Sequence, residues 1–145
     1  MLAGTGSEVL VVDTSAVIEA LASRNPDPAL AERLAEDGDL HAPHLVDIEV
    51  LTALRSLCAR GQLSEDRATD ARRDFQELAL VRYPHDLLAE RIWQLRADLT
   101  AHDAAFVALA EVLSAPLVTC DRRLAAAPGL GAVVEIYGPG HPTRR

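Results

Sequence analysis

Short apolar runs alternate with longer amphipathic segments along the whole chain. The first run, VLVV at 9–12, is continuously apolar and β-branched, which is typical of a strand buried on both faces. Strands are predicted at 9–12, 39–43, about 80–84, 116–120 and 132–136. Helices are predicted at about 14–23, 25–38, 45–61, 64–79, 85–99, 102–114 and 122–127. The segment 102–114 is apolar on nearly every side, so we expect it to be deeply buried.

Strands separated by helical segments of this length predict βαβ units, and therefore an α/β fold with a mostly parallel sheet and helices on both faces. In such sheets, ligands bind beyond the carboxyl ends of the strands, where the strand order reverses. Asp13 directly follows the first predicted strand, and Asp121 follows the fourth. We therefore expect each of these carboxylates at the carboxyl end of a strand.

Length and composition narrow the class of protein. The 145 residues show no repeat or linker, which predicts a single domain over 1–145 with mobile ends at 1–7 and 138–145. No apolar run approaches the roughly 20 residues of a membrane span, and the N-terminus lacks a signal-peptide pattern, so a cytoplasmic location is expected. The net charge of −8 argues against a nonspecific DNA coat. It leaves open a nucleic-acid enzyme whose acidic site is neutralised by metal.

Three acidic residues occupy positions that suit a helix cap as well as a site. Asp13 and Asp121 each precede a predicted helix, where a short polar side chain satisfies free backbone N–H groups. Asp103 lies in the first turn after Thr100, a pattern that resembles a capping box. Considered singly, each acid is explained as well by capping as by chemistry.

Glu49 has no such explanation. It lies a turn inside the predicted helix 45–61, among apolar residues and without an Arg four positions away. The residues one turn further on, Thr52, Ala53 and Ser56, are small, so this face of the helix could border a cleft. A surface position for Glu49 remains the alternative.

If the four acids gather at one end of the sheet, their mutual repulsion raises their pKa values unless a cation relieves it. Oxygen ligands favour Mg²⁺ or Mn²⁺, which keep bound waters and recruit substrate phosphates. The corresponding chemistry is hydrolysis of a phosphodiester bond. The sequence therefore predicts a metal site formed by Asp13, Glu49, Asp103 and Asp121.

Four segments, in this order, resemble the PIN domain family, and especially the VapC toxins of bacterial toxin–antitoxin pairs: VVDTSAVIEAL, LHAPHLVDIEVLTALR, AHDAAFVALAE and PLVTCDRRL. The resemblance covers about residues 8 to 136. It implies a three-layer α/β sandwich with a central sheet of four to five strands, and an endoribonuclease that depends on Mg²⁺ or Mn²⁺. Asp13, Glu49, Asp103 and Asp121 fall on the family's acidic, catalytic and metal-binding positions. Thr14, Ser15 and Thr119 fall on its supporting hydroxyl positions.

The resemblance also implies partners. We expect an RNA substrate, a homodimer or a toxin–antitoxin hetero-oligomer, and inhibition by a cognate VapB-type antitoxin. The antitoxin is expected to occupy the grooves among the helices 14–23, 45–60 and 64–79, with an inserted arginine approaching the acids. The sequence departs from the family at His102, where many relatives have Tyr, and at Cys120, where a small residue is usual. Neither departure removes an acid.

Other activities fit the sequence less well. All 14 basic residues are Arg, so receiver domains, dehalogenase-type phosphatases and P-loop enzymes lack the Lys they need. A catalytically silent binding module and a PIN-fold nuclease of RNA processing remain as alternatives. A zinc site at His41, His44 and Asp47 is a weaker possibility, because no second ligand cluster is evident.

Several other residues have two possible roles. Arg122 and Arg123 could steer a phosphate or simply form a solvated helix face. The arginines at 67, 72 and 73 lie among neighbouring aspartates of opposite charge, which indicates mainly a surface helix of mixed charge. Trp93 is predicted to lie in the core, with a dimer contact as the alternative.

Overall fold

The computed structural model describes residues 8–36 and 38–138, together with the backbone of a short strand at 143–144. The strands are β1 (Glu8–Val12), β2 (Gly38–Pro43), β3 (Leu80–Tyr83), β4 (Leu117–Thr119), β5 (Val134–Ile136) and β6 (Thr143–Arg144). The helices are α1 (Thr14–Ala22), α2 (Pro28–Ala35), α3 (Val46–Ala59), α4 (Glu65–Glu77), α5 (Ala89–Gln94), α6 (Ala101–Leu113) and α7 (Arg122–Ala126), with a 3-10 turn at Asp86–Leu88.

The strands of the described chain form one sheet in the order β3-β2-β1-β4-β5-β6. β1 to β5 pair in parallel, and β6 pairs antiparallel with β5. The predicted α/β fold with a mostly parallel sheet is confirmed, and β6 is an addition that the sequence did not indicate. The predicted mobile ends fall mainly on residues 1–7, 139–142 and 145, which lie outside the described ranges.

The strand order determines where the helices lie. The chain moves from β1 outward to β3, then returns to place β4 on the other side of β1. Right-handed crossovers then put α1 to α4 on one face of the sheet and α5 to α7 on the other. In agreement with this arrangement, α1 packs on α3 and α4, while α5 packs on α6. The order reverses between β1 and β4, so a ligand is expected beyond the carboxyl ends of these two strands.

The core lies around the central strand and α6. Leu10, Val11 and Val12 of β1 are fully buried, as their continuous apolar run predicts. In α6, all residues from Ala104 to Ala110 are buried, which confirms the prediction for the middle of the segment 102–114. Toward its ends the segment is more exposed, and Val112 is 66% exposed. None of the helices in the described part of the chain combines the length and apolarity that a bilayer-spanning segment requires.

The segment 85–99 differs from the prediction of one continuous helix. It forms the 3-10 turn, the short helix α5, and a series of turns that ends before α6. Leu88 and Leu95 fill the inward side of this segment, whereas Trp93 is 66% exposed. The prediction that Trp93 lies in the core is therefore wrong. The guanidinium of Arg96 instead lies over the Trp93 ring in a cation–π contact, 4.2 Å from the ring centroid.

Candidate active site

Asp13 caps α1 at the point where β1 ends. Its side chain is only 7% exposed and accepts a hydrogen bond from the backbone N–H of Ala16 at 3.0 Å. The hydroxyl of Ser15 donates to Oδ1 at 2.7 Å, and that of Thr119 donates to Oδ2 at 2.5 Å. Asp13 therefore serves as a cap and also presents a carboxylate at the reversal point of the sheet.

Thr119 connects the two strand ends. Its side chain is fully buried at the end of β4 and, besides donating to Asp13, its hydroxyl accepts from the backbone N–H of Asp121 at 2.9 Å. The hydroxyl of Ser15 accepts from the backbone N–H of Cys120 at 2.9 Å. These hydroxyl groups hold the β1–α1 and β4–α7 turns together.

Glu49 reaches the same edge from α3. It lies in the first turn of this helix, half-buried, and accepts a hydrogen bond from the hydroxyl of Thr14 at 2.6 Å. Thr14 is the first residue of α1, so the contact joins the beginnings of α1 and α3. Glu49 is therefore neither fully exposed nor without a partner.

Asp103 and Asp121 complete the acidic set. Asp103 lies in the first turn of α6, after the cap Thr100, and Asp121 caps α7. Arg123 binds both oxygens of Asp121, with Nη2 at 2.5 Å from Oδ2 and Nε at 3.0 Å from Oδ1. The same Nη2 lies 3.8 Å from Oδ2 of Asp103. Arg123 is thus a counter-ion for two acids.

The pKa values of the two aspartates at the strand ends are shifted in opposite directions. Burial raises the pKa of Asp13 from its ordinary 3.8 to about 6, because the charged form loses water; its three hydrogen bonds act against this shift, and the charge of Asp121 adds to it. Hydrogen bonding to Arg123 lowers the pKa of Asp121, so this carboxylate is ionised over a wider pH range. Asp13 is consequently the acid whose charge most needs a compensating cation.

All four acids line one groove of about 960 Å³ between α1 and α3. Asp13, Glu49, Asp103 and Asp121 lie near the beginnings of four helices, whose N-terminal dipole ends attract negative charge. We call this part of the groove the acidic end. The groove continues along α1 and α3 to Arg24, Arg60 and Arg67, which we call the basic end.

The sequence did not single out some residues of this groove. Glu19 lines it from α1, and Arg24 and Arg60 line its basic end. A local signal exists for Glu19, because it lies four positions after Ser15 and therefore on the same helix face. No local signal marks Arg24 or Arg60, since each simply follows the end of a helix.

The geometry does not support the zinc alternative at His41, His44 and Asp47. The carboxylate of Asp47 is bound by two nitrogens of Arg82, at 2.7 and 2.8 Å. His41 is buried with Nδ1 at 2.6 Å from the hydroxyl of Tyr83. Within the described ranges, no three His, Cys, Asp or Glu side chains are grouped closely enough to enclose a metal ion.

Fold and site together define a class of protein. It is an α/β protein with a groove at the reversal point of a parallel sheet, and the groove is lined by a buried aspartate and by further carboxylates. Comparisons with known proteins agree with this class. The PIN domain family model matches residues 10–130. Ribonuclease VapC1 of Mycobacterium tuberculosis (strain ATCC 25618 / H37Rv) is 42% identical over 127 residues, which cover 87% of this chain and 96% of the relative.

Solved structures share the fold. The structure of PAE2754 from Pyrobaculum aerophilum gives a TM-score of 0.63 at 25% identity and covers 92% of this chain and 89% of that one. A member of the VapBC family of toxin–antitoxin systems, VapBC-5 from Mycobacterium tuberculosis, gives 0.60 at 21% identity, over 88% and 96%. The chain belongs to the PIN domain family.

Proposed function

We propose that this protein is a VapC-type endoribonuclease, the toxin component of a toxin–antitoxin pair. The observation that carries the proposal is that Asp13, Glu49, Asp103 and Asp121 all line a single groove. Membership of the PIN domain family and the 42% identity to a protein named Ribonuclease VapC1 support the same activity.

The donor set fits Mg²⁺ or Mn²⁺. Most side chains that the acidic end offers as ligands are carboxylates or hydroxyls, and hard divalent ions prefer oxygen. The imidazole of His102 and the thiol of Cys120 also line the groove, and burial raises the pKa of that thiol to about 12, so it stays protonated. Mg²⁺ usually takes only one or two carboxylates directly and keeps several waters, so it needs no closed group of three protein ligands. When bound, such a cation supplies positive charge to a phosphodiester and activates a water molecule as the nucleophile.

The protein's own groups have distinct tasks in this proposal. Asp13 would hold the cation, since its buried charge gains most from one, and Ser15 and Thr119 keep its two oxygens oriented by hydrogen bonds. Glu49, Asp103 and Asp121 would hold the cation or its waters from the other sides of the groove. Arg123 is mostly exposed beside Asp121 and can move its guanidinium to a substrate phosphate, which binds arginine in the same forked geometry.

A VapB-type antitoxin is the proposed protein partner. The groove has an apolar wall that includes the 68% exposed side chain of Ile48, so it can accept a segment of another chain along α1 and α3. An arginine from that segment could bind the acids in the way Arg123 binds Asp121 here. The homodimer stays a prediction.

Cleavage of RNA by purified protein tests the proposal. We expect a pool of structured RNAs to be cut in the presence of Mg²⁺ or Mn²⁺ and to remain intact with chelator. Asp103→Asn should reduce the rate about 100-fold or more, the size of effect seen when one group that stabilises transition-state charge is lost. The matched control is Asp98→Asn, because Asp98 is exposed, lies outside the groove and carries the same charge.

Two results would contradict the proposal. Metal-dependent cleavage that persists unchanged in both Asp103→Asn and Asp13→Asn would contradict the assignment of the active site to the acidic end of the groove. The absence of cleavage of any RNA, together with no binding of Mn²⁺ by calorimetry, would favour the alternative of a binding module.

A further inference from the structure

The basic end of the groove is far from the acids along two helices. Asp13 precedes α1 and Arg24 follows it, while Glu49 is in the first turn of α3 and Arg60 caps its C-terminus. The hydrogen bond between Thr14 and Glu49 holds the two helix beginnings together. With a rise of 1.5 Å per residue, Arg60 lies about 16 Å beyond Glu49 along α3.

The arginines at this end have unused hydrogen-bonding capacity. Within the described chain, no carboxylate lies in salt-bridge distance of Arg24, Arg60 or Arg67, whereas Arg33, Arg73, Arg82, Arg91 and Arg123 are all paired. Arg67 donates to the carbonyl of Ala22 at 3.1 Å, and Arg60 donates to that of Ser56 at 3.4 Å. Each guanidinium has five N–H donors, so these contacts leave most of them free.

The structure also separates the arginines of α4 that the sequence grouped together. Arg67 lines the groove, Arg72 lines a different surface depression, and Arg73 is paired with Asp70 and Asp74. Only one of the three faces the acids' groove. Arg24, Arg60 and Arg67 are the arginines that line the acids' groove, whereas the unpaired Arg55 and Arg72 line the other depression. In a chain of net charge −8, unpaired cations in the same groove as the acids indicate a ligand that carries negative charge.

We propose that Arg24, Arg60 and Arg67 form a second phosphate-binding site, which holds the backbone of single-stranded RNA several nucleotides from the bond cut at the acidic end. This inference rests on the proposed ribonuclease function. The groove is large enough for more than one nucleotide, and its apolar wall of Ile18, Ile48 and Leu57 offers contact area to bases between the two ends. The arginines contact phosphates, so they position the RNA without reading its sequence.

Arginines near helix ends also stabilise the helix dipole, and the experiment separates this structural role from RNA binding. The test pair is Arg24→Ala with Arg60→Ala; Arg67 is left intact because it binds the last carbonyl of α1. The control pair is Arg55→Ala with Arg72→Ala. Both control arginines are exposed, lack a carboxylate partner in the described chain and lie outside the groove. Each pair removes two positive charges, so the change in net charge is the same in the test and the control.

The probe is a fluorescein-labelled ten-nucleotide oligouridylate, and binding is followed by fluorescence anisotropy in chelator, where no cleavage occurs. We expect the test pair to weaken binding about tenfold at low salt, because two phosphate contacts are lost. The slope of log K against log salt should become shallower by about 1.4, at about 0.7 per phosphate on a single strand. The control pair should leave the slope unchanged, and its affinity should fall by less than about threefold.

Equal weakening by the test and control pairs would overturn the site, since net charge alone would then explain binding. Unchanged binding in the test pair would overturn it as well. If the test pair binds oligouridylate normally but loses affinity for a ten-residue oligoglutamate, the basic end holds an acidic peptide and not RNA.

These outcomes are distinct from a failure of the proposed function. A protein that cleaves RNA with metal while the test pair behaves like wild type is a nuclease without this second site. A protein that never cleaves, but whose RNA binding requires Arg24 and Arg60, has the site without the nuclease activity. In the cleaving protein, the test pair should lower kcat/KM at subsaturating RNA while kcat at saturation is retained.

Discussion

The carboxylate of Asp13 is buried, which costs stability, and it is also held by hydrogen bonds at the end of the groove. A buried charge costs folding free energy, and burial is what raises the pKa of this group to about 6. The same group makes three hydrogen bonds that hold it at the end of the groove. The proposed cation would compensate this charge, so the cation-free protein is expected to be less stable because of Asp13.

The stability of the cation-free protein should therefore depend on pH through Asp13. Its folded-state pKa lies above the ordinary value of 3.8, so the folded protein binds this proton more tightly and loses stability as the pH rises from about 4 through 6. Asp13→Asn removes the charge. In chelator, the variant should exceed wild type by roughly 2–3 kcal/mol at pH 8, at about 1.4 kcal/mol per pKa unit.

Urea unfolding at pH 4 and pH 8 measures this difference. Carboxylates with lowered pKa, such as Glu111 beside Arg91, titrate in the opposite sense, but they are common to both proteins and cancel in the comparison. The advantage of the variant should shrink toward pH 4. An advantage of the same size at both pH values would contradict the assignment to Asp13.

Between elements, a buried ion pair joins α2 to the sheet. Arg33 binds both oxygens of Glu135 in β5, at 2.9 and 3.0 Å, and also reaches Glu8 in β1 at 2.6 Å. The side chains of Arg33 and Glu135 are only 11% and 3% exposed. The hydroxyl of Tyr137 donates to the same glutamate at 2.9 Å. This network fixes α2 across β1 and β5, on the side of the sheet that supports α1.

Arg33→Ala should destabilise the protein by about 3–5 kcal/mol, because it leaves the charge of Glu135 buried without its counter-ion. Chemical denaturation measures the loss. Arg73→Ala is the matched control, since Arg73 pairs with exposed aspartates at the surface of α4 and its removal should change stability by less than about 0.5 kcal/mol. Similar losses in both variants would show that the Arg33 pair is not energetically special.

On the scale of the whole molecule, the site exists only because distant segments meet. Asp13 and Thr119 are 106 positions apart and share a hydrogen bond, while Glu49 and Asp103 enter the groove from α3 and α6. A ligand that contacts several of these segments binds only the folded chain. Binding of the proposed cation is therefore expected to be linked to global folding.

Mn²⁺ should raise the melting temperature of the wild-type protein, and chelator should reverse the effect. At a free concentration 100 times the dissociation constant, the expected gain is about 2.7 kcal/mol. Asp103→Asn should show a smaller shift, whereas Asp98→Asn should behave like wild type. A shift that is equal in all three proteins would place the bound Mn²⁺ outside the groove.

Much of this architecture could be predicted from local patterns. The apolar runs identified β1 to β5, and the caps Asp13, Asp27, Ser64, Thr100 and Asp121 explain where five of the helices begin. The prediction failed at 85–99, where an apolar spacing compatible with one helix is divided among a 3-10 turn, α5 and further turns. Trp93 shows the limit of hydrophobicity as a guide: Leu88 and Leu95 are buried and Ile92 and Leu99 pack against the core, whereas the larger Trp93 is 66% exposed.

The sequence by itself determined the alternation of strands and helices, and the positions of the four acids at element ends, since both depend on short-range periodicity and capping. Only the tertiary structure decided that Asp13 is buried, that Arg123 faces Asp121 and Asp103, and that Arg24, Arg60 and Arg67 share a groove with the acids. Burial, ion pairing and shared surfaces depend on contacts between segments far apart in the chain, and no local pattern encodes those contacts.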